Sequence, residues 1–85
     1  MSTHVLSFAL AMQTKLDEND HKRHWRTCSA KWLLNRLRQE MGELALAVER
    51  GESDEAVLRE AADVANFAMM VADVVAFARE QGVPP

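Results

Sequence analysis

The sequence predicts an all-α fold, and three observations carry that prediction. Apolar residues recur at three- and four-residue steps through most of the chain. Capping residues and glycines stand at the ends of those periodic stretches, and no stretch alternates apolar with polar residues as a strand would. The 85 residues make one domain, spanning 1–85. At 48% hydrophobic, so short a chain carries more apolar surface than its own core can hide. The expected architecture is therefore three helices per chain in a four-helix-type bundle completed by oligomerisation, as a dimer or a tetramer.

The first helix is expected from about Thr3 to Leu16. Val5, Phe8, Ala9, Met12 and Leu16 form its apolar stripe, and Ser2 or Thr3 can cap its start. A polar connector follows, from Asp17 to Thr27. The second helix begins between Thr27 and Ser29 and runs to Arg50. Its core stripe is read as Leu33 or Leu34, Leu37, Met41, Leu44, Ala45 and Val48, and Gly51 is its stop. The third helix is expected from Ser53 to about Gln81, with Asp54 and Glu55 in its first turn and Gly82 at its end. It is hydrophobic almost all round, and such a helix must be surrounded. Between Ala61 and Ala78, 15 of 18 residues are apolar; Asp63, Asn66 and Asp73 are the others and make lipid insertion costly. A soluble bundle is expected rather than a membrane span.

The net charge of −3 argues against general nucleic-acid affinity. Cys28 is the only cysteine, which excludes an intrachain disulfide and makes a reducing, cytoplasmic setting the expectation. The N-terminal stretch does not read as a signal peptide.

The most informative residues are two acidic pairs, Glu40-Met41-Gly42-Glu43 and Glu60-Ala61-Ala62-Asp63. Residues three apart on a helix share a face, and Asn66 extends the second pair by a turn, with Asp73 in nearly the same direction two turns on. An antiparallel arrangement through the short Gly51-Glu52 turn lets the pairs face one another. Carboxylates on an otherwise apolar face must be paired or bind a cation, and hard oxygen ligands suit Mg2+ or Mn2+. The plainer account makes them solvated surface acids, with Glu40 in an ordinary ion pair with Arg36. It suits Glu40 and Glu43 better than Glu60 and Asp63, which are embedded among alanine, valine and phenylalanine.

The pattern Glu-x-x-Glu, a spacer, then Glu-x-x-Asp resembles that of the MazG-like, all-α nucleoside triphosphate pyrophosphatases. Gln39-Glu40-Met41-Gly42-Glu43-Leu44-Ala45 is similar to the first motif of that family, and Glu60-Ala61-Ala62-Asp63-Val64-Ala65-Asn66-Phe67 to its second. Upstream, Lys15-Leu16 with Asn19, Lys22 and Trp25 resembles the lysine- and tryptophan-bearing loop of small members. The resemblance covers roughly residues 8 to 75. It implies hydrolysis of a nucleoside triphosphate between its α- and β-phosphates, giving a monophosphate and pyrophosphate. By position, it implies that Glu40, Glu43, Glu60 and Asp63 hold Mg2+. Asn66 would bind substrate or orient a ligand, Lys22 would meet phosphate, and Trp25 would pack on the nucleotide. Relatives of this type often carry glycines between that lysine and tryptophan, where this chain has Arg23-His24. Within the site, Glu43 is the candidate to accept the proton of the attacking water.

Other motifs carry less. His21, His24 and Cys28 hint at zinc, but a tetrahedral site needs a fourth ligand and none is nearby. Lys22, Arg23, Arg26 and Lys31, interleaved with Trp25 and Trp32, could contact nucleic acid, yet beside an acidic site they suit a triphosphate better. Trp32 is expected in the core, and Met69 and Met70 in the core or an interface. The competing function is a non-catalytic helical module for oligomerisation or partner binding.

Overall fold

The computed structural model describes residues 2–19 and 24–85. Three helices carry the fold: α1 (Thr3–Glu18), α2 (Ala30–Glu49) and α3 (Asp54–Gln81), with a 3-10 turn, Trp25–Thr27, between α1 and α2. No strand occurs among the described residues. Each helix starts on a serine whose side chain accepts a backbone N–H three residues on: Ser2 from Val5, Ser29 from Trp32 and Ser53 from Ala56, all at 3.1 Å. Such a cap satisfies one of the four N–H groups a helix start leaves free.

The turn between α2 and α3 is built by Gly51, whose φ of 64° lies in the left-handed region that glycine enters without penalty. Gly51 N–H donates to Val48 O at 3.1 Å and Glu52 N–H to Ala47 O at 3.0 Å, closing the end of α2 in a Schellman motif. The tight reversal sets α2 and α3 antiparallel.

α3 is the spine. Its 28 residues span about 40 Å, nearly the full 44 Å of the molecule's longest dimension. α1 and α2 both pack on it and not on each other. The rungs between α1 and α3 step in opposite directions along the two helices: Met12 with Asn66, Lys15 with Asp63, Glu18 with Arg59. α1 is therefore antiparallel to α3, and a gap remains between α1 and α2 above it. At the other end of the chain, Pro85 O accepts the backbone N–H of Ala30 at 2.8 Å and ties the tail to the start of α2.

The core is thin. Ala30, Leu33 and Val74 are buried together, with Trp25, Phe67 and Met70 among the partly buried groups packed on them. Leu33 is the one large side chain fully withdrawn from solvent among the described residues. The inward face of α2 runs Ala30, Leu33, Leu37, Glu40, Leu44, Ala47, and so differs from the stripe expected from sequence. Met41, Ala45 and Val48 point outward, because Glu40 takes the inward position that apolar periodicity gives to its neighbour. Trp32 is also not a core residue: it is 50% exposed, since burying Leu33 turns the preceding position about 100° away.

α3 is long and apolar enough by composition to cross a membrane, with a mean hydropathy of 1.6 over its most apolar window. Its polar side chains nevertheless meet partners from the rest of the fold: Asp63 meets Lys15, Asn66 the backbone of Met12, and Asp73 the 3-10 turn.

Candidate metal centre

Glu40 from α2 and Glu60 and Asp63 from α3 converge, each offering a carboxylate oxygen within 4.8 Å of the others. The convergence follows from the local folding already described. The Gly51 turn brings α2 back along α3, and three-residue spacing puts Glu60 and Asp63 on one face. Glu43, one turn beyond Glu40, is exposed and lies outside this group of three. Its charge is nonetheless felt by both Glu40 and Glu60.

The electrostatics are those of a site short of positive charge. Glu40 is 6% exposed. Burial foremost, then the Glu43 and Asp63 carboxylates, push its pKa up to about 6 against the opposing pull of Arg36. Burial, again reinforced by Glu43 and Asp63, raises Glu60 as well, and Lys15 only partly offsets it. Two cations reach the cluster. Arg36 Nη2 donates to Glu40 Oε1 at 2.9 Å, as the helical spacing predicts. Lys15 Nζ lies 3.5 Å from Asp63 Oδ2 and 3.5 Å from Glu18 Oε2.

These cations leave oxygens over. Among the described residues the buried side-chain acceptors with no partner are Glu40 Oε2, Glu60 Oε2 and Asn66 Oδ1, and all three belong to this region. Buried oxygens without donors are costly. A hard divalent cation is the ligand that carboxylate oxygens of this kind accept, so the residues present fit Mg2+ or Mn2+.

Beside the acids opens a cavity of about 750 Å3 in the gap between α1 and α2. Lys15, Asp17, Arg36, Glu40 and Asp63 line its charged part, and His24, Trp25, Trp32 and Phe67 supply aromatic surface. The His24 and Trp25 rings stack, with centroids 4.5 Å apart and planes 22° apart. Arg36 lies over the Phe67 ring at 5.2 Å from its centroid. Asn66 is 3% exposed; its Nδ2 donates to Met12 O at 3.0 Å, which turns its free Oδ1 into the role of acceptor.

Lys22, expected to meet phosphate, lies outside the described residues, as do Arg23 and His21. His24 accepts the backbone N–H of Arg26 at Nδ1, 3.2 Å away. Arg26, grouped by sequence with the basic cluster, is turned onto Asp73. Asp73 does not extend the metal cluster: it accepts from Trp25 and Arg26, and those donors hold its pKa down to about 2. The resemblance reads Lys15 into the lysine-bearing loop, whereas it lies on α1 and reaches Asp63. Its signal was its position one turn beyond Met12 on the inward face of α1, a lysine where periodicity calls for an apolar residue. Comparison with protein families, curated proteins and solved structures gives no match to this chain.

Proposed function

We propose that the protein is a Mg2+-dependent nucleoside triphosphate pyrophosphohydrolase, with Mn2+ as a substitute, cleaving ribo- or deoxyribonucleoside triphosphates between the α- and β-phosphates. The observation that carries this reading is the pair of buried, unpartnered carboxylate oxygens of Glu40 and Glu60 beside Asp63, at the edge of a cavity with an aromatic wall. The sequence resemblance to MazG-like pyrophosphatases, over roughly residues 8 to 75, supports the same chemistry.

Glu40, Glu60 and Asp63 would hold the cation, with Glu43 close enough to join when it binds. Bound there, a divalent cation offsets charge on the phosphate oxygens and eases deprotonation of the attacking water. The protein's own task is positioning and charge, since phosphoryl transfer needs little covalent chemistry from side chains. Lys15 and Arg36 supply positive charge to the phosphates on the acid-facing side of the cavity. Glu43, exposed and without an ion-pair partner among the described residues, takes the proton from water as the phosphoanhydride bond breaks. Trp25 and His24 offer a stacking surface to the base, and Asn66 Oδ1 accepts a hydrogen bond from the nucleotide.

Self-association belongs to the same proposal. Leu34, Met41 and Val48 repeat every seven residues along the outer face of α2, and Val5, Leu6 and Leu10 are more than half exposed on α1. A second copy covering these stripes would complete a four-helix bundle. The same stripes are what a non-catalytic oligomerisation or partner-binding module would show, but that reading gives the unpartnered acids no use.

The test is a hydrolysis screen of ribo- and deoxyribonucleoside triphosphates with Mg2+, measuring pyrophosphate and monophosphate. The expected result is equimolar release of both from at least one substrate, lost in Glu43→Ala. No pyrophosphate from any common triphosphate, with wild type and variant alike, would overturn the proposal.

A further inference from the structure

The 3-10 turn enters the helical layer through one carboxylate. Asp73 Oδ2 accepts Trp25 Nε1–H at 2.7 Å and Arg26 Nε–H at 2.9 Å, and its Oδ1 accepts from Arg26 Nη2 at 3.0 Å. These contacts cross 47 and 48 residues of sequence. The Arg26 guanidinium also lies over the Phe77 ring, 4.6 Å from its centroid. Apart from this clamp, the polar bonds of the turn are local, such as Cys28 N–H to Trp25 O at 2.9 Å. An indole with one N–H donor has one polar anchor, and here that anchor is Asp73. The ring so held forms part of the cavity wall.

We propose that Asp73 is a positioning residue for the base of a nucleotide: by fixing Trp25 through its indole N–H, it sets affinity for the base-bearing part of the ligand and not for its phosphates. The inference rests on reading the cavity as a nucleotide pocket. The two ends of that pocket are held by different residues, so the base wall can be loosened while the acids at Glu40, Glu60 and Asp63 stay in place. Asp73 lies ten residues, nearly three turns, along α3 from Asp63. A stacking surface helps binding when it is fixed beforehand, since ordering it at the moment of binding costs affinity.

The experiment is calorimetric binding in Mg2+ of the α,β-methylene analogues of ATP, GTP, CTP and UTP, beside inorganic triphosphate, which has phosphates and no base. Wild type is compared with Asp73→Ala, with Trp25→Phe, which keeps a ring and loses the N–H, and with the double variant. Each single variant is expected to weaken the best analogue about tenfold and to leave inorganic triphosphate unchanged. For the best analogue the double variant should be no weaker than Asp73→Ala alone, because both substitutions remove the Trp25–Asp73 hydrogen bond and the Arg26 bonds that Asp73→Ala also removes do not touch the base. If Asp73→Ala does not fold, Asp73→Asn replaces it; one oxygen still accepts from the indole, and the expected loss is smaller than for Trp25→Phe. Equal losses for analogue and inorganic triphosphate, additive losses in the double variant, or no analogue bound more tightly than inorganic triphosphate by wild type would each overturn the proposal. Selective binding as described, together with no hydrolysis of the unmodified nucleotides, would remove the catalytic reading and leave Asp73 in its positioning role.

Discussion

Two aspartates on α3, ten residues apart, sit in opposite electrostatic worlds. Asp73 accepts three hydrogen bonds from two donor side chains and is held well below the ordinary carboxylate range. Asp63 has one cation 3.5 Å away and stands among acids whose pKa values are pushed upward. A carboxylate whose lone pairs are matched by donors is a structural tie, and its charge is already spent on the fold. A group of carboxylates with oxygens left over destabilises the metal-free fold and is poised for a ligand. The acids alone do not tell the two regions apart; the missing donors do.

That contrast breaks most sharply under substitution. Glu60→Gln should lower pyrophosphate release by about 100-fold or more, because loss of a ligand weakens metal binding at least as much as loss of a supporting contact. Activity within twofold of wild type would take Glu60 out of the site. Metal addition sharpens the comparison from the other side. A cation that binds only the folded form at a concentration 100 times its Kd stabilises by about 2.7 kcal/mol, which in a domain of this size raises Tm by roughly 10–20 °C. Thermal melts with 5–10 mM Mg2+, on the order of 100 times a sub-millimolar Kd, should show that rise. The rise should persist in Asp73→Asn and shrink in Glu60→Gln. A Tm that ignores Mg2+ and Mn2+ favours the oligomerisation module.

The outer stripe of α2 gives an effect of moderate size. Met41→Glu places a charge on an exposed apolar stripe, 54% exposed in the single chain, and should shift the protein toward monomer in sedimentation analysis. An unchanged mass would place the subunit contact elsewhere or nowhere.

Much of the fold is legible in the sequence because helix ends are written locally. Ser29, Gly51, Ser53 and Gly82 act through backbone groups within a few residues, and each marks a boundary within one or two positions of where it is read. The approach of Glu40 to Glu60 and Asp63 is legible for the same reason, since helical spacing and one tight turn determine it. What the sequence hides is of two kinds. The inward face of α2 was displaced toward Met41 and Val48 because a periodicity count scores Glu40 as polar and passes its slot to the next apolar residue. The Asp73 clamp depends on how the 3-10 turn lies on α3, a question of tertiary path that no local pattern encodes, and Lys15 shows in the sequence as a lysine in an apolar slot of α1 without showing that Asp63 is its partner.

The smallest expected effect is also the one that separates the two ends of α3 by sign. Glu40 has its pKa raised from 4.5 to about 6 in the folded protein. Between those values the folded state holds more protons than the unfolded state, so its contribution to stability is complete below about pH 4.5 and is lost as pH rises through about 6. Glu60, also raised, acts in the same direction. Asp73 is lowered from 3.8 to about 2, so its contribution is present above pH 3.8 and is lost as pH falls toward 2. Glu18, lowered chiefly by Arg59, adds to that acid limb. Metal-free stability measured by denaturant titration should therefore peak near pH 4 to 5 and decline on both sides. Glu40→Gln should flatten the decline above the peak and raise stability at pH 7 by about 1 kcal/mol, since the amide has no charge to desolvate. Asp73→Asn should flatten only part of the decline below it. Saturating Mg2+ should abolish the upper decline and leave the lower one, because a cation favours the charged carboxylates around Glu40 and has no purchase on an Asp73 already matched by Trp25 and Arg26. A metal-free profile rising steadily from pH 4.5 to 7 would mean that the acids of α2 and α3 are already compensated in solution, and the contrast between the two ends would collapse.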